Sequence, residues 1–140
     1  MRILPDLIRS DYAVTILKDL SNGPLAAQIQ PNNAYLFLRR GGLAILQGNY
    51  AESIAQFEFA LQLYPRMNYA YFDMGRAYLH MERVTDALTA YQHGLSVSDA
   101  RRDLDDAVEE LEKLKIEQPV LAGVDDALTL LQNWHPPAKS

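Results

Sequence analysis

Three histidines (His80, His93 and His135) and the acidic run Asp103-Leu104-Asp105-Asp106 are the first candidates for metal binding or proton transfer in this sequence, the other paired carboxylates falling on surface helices with no sign of a pocket. Neither pattern assembles a site. His80 and His93 fall on different predicted helices and lack the i, i+4 spacing that sets two imidazoles on one helical face. The acidic run has neither the glycine nor the closing glutamate of a calcium loop, so it reads as the solvated start of a helix. Gly41-Gly42 sits inside a helical pattern and makes no phosphate-cradling loop. With no cysteine, thiol nucleophiles and Cys-type zinc sites are excluded. The expectation is a protein without enzymatic chemistry, cofactor or metal.

The elements around these residues must be built from an ordinary globular composition, 49% hydrophobic and 22% charged over 140 residues. The net charge is −5 and sits at one end: residues 102–140 hold nine acids against four basic residues. No basic face emerges, so nucleic acid is not an expected partner. Apolar runs fall far short of the roughly 18 residues that a membrane span needs, so no membrane insertion is expected. The start, Met1-Arg2-Ile3-Leu4-Pro5-Asp6, lacks a secretory apolar core, which points to a cytoplasmic protein.

Sliding the sequence by 34 residues lays residues 34–67 over residues 68–101 without a gap. Phe37 falls on Tyr71, Gly41 on Gly75, Ser53 on Ala87, Phe57 on Tyr91 and Ala60 on Gly94. Each unit reads as two helices. The first spans 34–47 and stops at Gly48, where a left-handed residue is easily made. Asn49 is placed to cap the next helix with Glu52 in capping-box position, and Pro65 ends it. The second unit predicts helices over 69–81 and 84–97, with a turn at Glu82-Arg83 that has no glycine. Small residues (Gly41, Gly75, Ser53, Ala87) admit a neighbouring helix, and aromatic knobs (Phe57, Tyr91) fill the hollow. One such pair cannot bury its own apolar face, so units must stack.

These two units resemble the tetratricopeptide repeat, through Phe37, Gly41, Ser53, Phe57, Ala60 and Pro65 in the first. The second matches through Tyr71, Met74, Gly75, Tyr78, Ala87, Tyr91 and Gly94. The likeness covers 68 of the 140 residues. It departs at Arg40 and Ala44, which occupy large aliphatic and aromatic positions, and at Asp99 in place of the closing proline. The first two departures imply an unusual N-terminal neighbour, with Asp11 or Asp19 near Arg40. The resemblance implies an all-α solenoid of helical hairpins.

Flanking segments complete the expected plan. Residues 1–33 read as an N-terminal helical segment, a degenerate repeat or groove filler, with helices over 4–20 and 25–30. Residues 102–134 read as C-terminal capping helices, the first from about Ala100 to Glu117 with Ser98 or Asp99 as its cap and the second over 124–133. Pro119 separates them, and residues 135–140 form a flexible tail.

A second stripe runs along the first helix of each unit: Tyr35, Leu38, Gly42 and Ile45, then Tyr69, Phe72, Arg76 and Leu79. In the family that face lines a concave groove for partner peptides, so Tyr35, Leu38, Tyr69 and Phe72 are the expected anchors. Arg39, Asp73, Arg76 and His80 border them. Truncating Phe72 should then weaken partner binding and leave helicity nearly intact. A carboxylate-clamp co-chaperone role is disfavoured, because Leu38 and Gly42 stand where lysine and asparagine would be needed. The expected function is protein–protein interaction, as an adaptor or scaffold for a protein or peptide partner. The alternatives are a regulatory or assembly segment of a larger enzyme, a self-associating scaffold (a homodimer whose groove is closed by its own copy), and a secretion-type chaperone.

Overall fold

A computed structural model of the chain describes residues 31–138. Among them every regular element is helical: α1 (Pro31–Leu46), α2 (Tyr50–Leu63), α3 (Asn68–His80), α4 (Val84–Ser96), a 3₁₀ turn (Arg101–Leu104), α5 (Asp105–Glu117) and α6 (Val124–Asn133). No helix among the described residues is long and apolar enough to cross a membrane. The expected N-terminal helices, and the contact of Asp11 or Asp19 with Arg40, lie outside the described residues. Within them, the Arg40 guanidinium lies 5.6 Å from the Phe37 ring centroid.

Helices pack on their sequence neighbours, α1 on α2, α2 on α3 and α3 on α4, while α5 and α6 close the far end against α3 and α4. Three-residue links force each close pair into a hairpin. Two main apolar cores result among the described residues, with a small cluster of Phe59, Phe37 and Leu63 beside them. Phe57, Ala60, Met67, Ala70 and Ala77 anchor one, between α1, α2 and α3. Leu79, Tyr91, Leu104, Leu111 and Leu131 anchor the other, between α3 and the C-terminal helices. The partly buried Tyr78 packs against both and joins them.

The 34-residue correspondence reappears in atomic detail. A Cβ placed on Gly41 would overlap the Phe57 ring, and one on Gly75 would overlap the Tyr91 ring. Ser53 and Ala87 are both fully buried. Phe37 meets Phe59 edge-on at 5.4 Å, and Tyr71 meets His93 edge-on at the same distance.

The two hairpin turns also match. Asn49 N–H donates to the Ala44 carbonyl and Gly48 N–H to Ile45. One period later, Arg83 N–H donates to Tyr78 and Glu82 N–H to Leu79. Both are the paired bonds that close a helix C-terminus around a left-handed residue. Gly48 has φ 76° and Glu82 has φ 59°. Glutamate thus takes the backbone of its glycine counterpart, and the second turn is as sharply defined as the first. A left-handed conformation costs an L-residue about 1–2 kcal/mol. Glu82→Gly relieves that strain but adds freedom to the unfolded chain. The expected net gain is about 0.5–1 kcal/mol, read as a higher midpoint in chemical denaturation with an unchanged slope.

Two expected caps are replaced. Asn49 makes no side-chain cap to α2. Its backbone serves both helices, the N–H donating to Ala44 of α1 and the carbonyl accepting from Ser53 N–H of α2, while its side-chain amide turns to Gln47 Oε1. Before α5, neither the Ser98 nor the Asp99 side chain caps. Asp103 instead reaches back, and its Oδ2 accepts from the Asp99 and Ala100 N–H groups at 2.9 and 3.0 Å. The Ser98 hydroxyl donates to the Gly94 carbonyl. The helix expected from residue 100 therefore opens as a 3₁₀ turn and becomes α-helical at Asp105. Arg101 Nη1 donates at 2.6 Å to the carbonyls of both Leu131 and Trp134, closing the end of α6.

Candidate functional site

Side chains from α1, α3 and α5 converge on an open hollow of about 280 Å³, lined by Leu38, Tyr69, Phe72, Asp73, Asp106, Ala107 and Glu110. The helical spacing of Leu38 on α1, and of Tyr69, Phe72 and Asp73 on α3, turns them to a common side. On α5, Asp106 and Glu110 stand one turn apart while Ala107 lies buried at the seam.

The residues singled out in the sequence divide into three groups. Tyr35 and Tyr69 are exposed, at 41% and 39%, and lie close enough for Tyr35 to influence the Tyr69 hydroxyl electrostatically. Leu38 is half-buried and lines the hollow. Phe72 and Ile45 are placed otherwise than as open anchors. Ile45 is buried in the core around Phe57. Phe72 is only 2% exposed, its ring filling the notch at Gly94 and lying 6.1 Å from Tyr91. Only its edge reaches the hollow. A stripe three and four residues apart shares a face, but α4 covers part of that face at Phe72.

The charged border is also rearranged. Arg76 pairs with Asp73 at 3.3 Å and with Glu110 at 3.4 Å, tying α3 to α5. His80 lies away from the hollow, stacked on Tyr50 with ring centroids 4.7 Å apart. Burial and the nearby Arg76 charge hold the His80 imidazole below its ordinary pKa. Arg39 is exposed and does not line the hollow. Asp106, Ala107 and Glu110 were not foreseen as part of the site. Their signal was the i, i+4 spacing of Asp106 and Glu110 beside the buried stripe of a helix read only as a cap.

Burial pushes the Asp73 carboxyl up to about 7, and the adjacent Arg76 only partly offsets it. Burial raises Glu110 too, against the pull of Arg76. A carboxyl whose folded pKa lies above its unfolded value holds its proton more tightly in the folded state. Its contribution is therefore largest below pH 4 and is lost as pH rises toward 7. Glu58, raised by burial, acts in the same sense, whereas His80 opposes it. The Asp73 term is expected to lower stability by about 2–4 kcal/mol across that window. Asp73→Asn should flatten the fall in melting temperature between pH 4 and pH 7, and an unchanged profile would contradict this account.

A second hollow, of about 480 Å³, lies between α5 and α6 and is lined by Ile116, Leu128 and the Lys115–Asp125 ion pair at 2.8 Å. Among the described residues no group of three histidine, aspartate or glutamate side chains is gathered as for a metal ion. Compared with known proteins, the chain matches no family model, no curated protein and no solved structure.

Proposed function

We propose that this all-helical chain is a tetratricopeptide-like array of two hairpins with C-terminal capping helices. Its function is non-catalytic protein–protein interaction, through a partner peptide or helix laid in the hollow between α1, α3 and α5. The observation that carries this reading is a hollow where three helices bring apolar side chains together beside the exposed Tyr69, with the exposed Tyr35 near that tyrosine. Aromatic side chains at such a site supply contact area at low entropic cost and are common anchors of binding energy. The Gly41–Phe57 and Gly75–Tyr91 contacts support the repeat assignment, because each fixes a hairpin at the same spacing.

The test is a pull-down from native lysate with wild type and the Tyr35→Ala/Tyr69→Ala pair. Both side chains are substantially exposed, so melting should shift by no more than about 2 °C. Proteins retained by wild type and released by the pair are the expected result. Equal retention by both would refute the groove as the binding surface.

Self-association is the second reading, favoured by exposed Leu36, Leu43 and Leu46 on α1, at 47%, 55% and 82%. Light scattering over a concentration series decides it: a concentration-dependent rise in mass supports the scaffold, and a constant monomer mass removes it.

A further inference from the structure

The hollow has two kinds of wall. Leu38, Phe72 and Ala107 form an apolar floor, and every charged side chain that lines it is a carboxylate: Asp73, Asp106 and Glu110. One guanidinium, Arg76, answers two of these three. Asp106 stands exposed beside them, and the charges of Asp103, Asp105 and Asp106 all reach Tyr69. The site is left with an excess of negative charge over an apolar patch.

Taking the binding reading above as its basis, we infer that the occupant is a cationic segment of another protein. An apolar side chain rests on the Leu38–Phe72–Ala107 floor, and a lysine or arginine beside it meets Asp106 and Glu110. Opposite charge on the incoming segment speeds encounter and fixes its register. Other occupants lack the charge. Residues 1–30 contain Arg2, Arg9 and Lys18, but Asp6, Asp11 and Asp19 cancel them. A second copy carries a net charge of −5 and the same acidic α5, so it meets the wall with like charge.

Panning the full chain with a random peptide library displayed on phage tests this. The most enriched sequence is then synthesised and titrated by fluorescence anisotropy. Enriched peptides are expected to pair an apolar residue with lysine or arginine. Their affinity should drop about five- to tenfold in Asp106→Asn/Glu110→Gln, and drop again as ionic strength rises from about 0.05 M to about 0.5 M. Tyr69→Ala should weaken them as well. Neutral or acidic peptides that depend on Tyr69 would overturn the cationic assignment and leave the groove standing. No enrichment, or peptides indifferent to Tyr69 and to both carboxylates, would overturn both.

Discussion

Gly75→Leu is expected to unfold the helical fold, with a loss of at least about 3 kcal/mol. A Cβ at this position would fall 2.6 Å from Tyr91 Cδ2 and 2.9 Å from Cζ, well inside van der Waals contact. Tyr91 is 1% exposed and enclosed by the C-terminal core, so its ring has nowhere to retreat. Leucine improves intrinsic helix propensity over glycine by somewhat under 1 kcal/mol. Overpacking a close-packed seam costs about 1–3 kcal/mol when side chains alone must yield, and more when backbones must part. Here an isobutyl group must separate α3 from α4, so the packing term wins. Loss of the cooperative transition in circular dichroism is the expected signature. An unchanged melt would mean that the glycine–ring contact does not set the helix spacing. The total stability of a domain this size is about 5–15 kcal/mol, which makes such a loss decisive.

Phe72→Ala is expected to destabilise the fold by about 3–5 kcal/mol, the usual range for emptying a buried phenylalanine site. This replaces the expectation from spacing alone, in which Phe72 was an open anchor and its loss left folding intact. The ring is buried against Gly94, where a Cβ would lie 2.6 Å from Phe72 Cδ1. The pair therefore predicts its own coupling. Gly94→Ala alone should destabilise by forcing the ring aside. In the Phe72→Ala background the same methyl enters vacated space and should be neutral or stabilising. A double-mutant cycle by urea denaturation should show non-additivity above about 1 kcal/mol. Additive losses would place Phe72 outside that notch.

Much of the helical plan was legible because its signals are local. Gly48, Pro65 and Pro119 punctuate the chain, and the boundaries of α6 match the expected span. The glycine and aromatic pairs were legible because a fixed period puts each at the same place in its hairpin. Glu82 was not, since only the hydrogen bonds of the turn reveal that a glutamate has taken the left-handed backbone. The cap expected at Asn49 failed for a related reason: its side-chain amide turns to Gln47, which only the geometry of the link reveals. The lining of the hollow was legible on α1 and α3, where Leu38, Tyr69 and Asp73 fall on the faces that the helical spacing picks out. Its acidic wall was hidden, because α5 reaches the hollow through a tertiary docking that no periodicity within α5 encodes. Phe72 was misplaced for the same reason: spacing reports a shared face, and only packing reports which part of it another helix covers.

The clamp made by Arg101 bears on the hollow between α1, α3 and α5. It sits in the 3₁₀ turn that leads into α5, and it grips the carbonyls at the end of α6. That ties the turn before α5, the helix that supplies Asp106 and Glu110, to the end of α6. The wall opposite Leu38 and Tyr69 is thus tied to a contact outside the hollow, and a substitution at Arg101 can shift it without changing any side chain that lines the hollow.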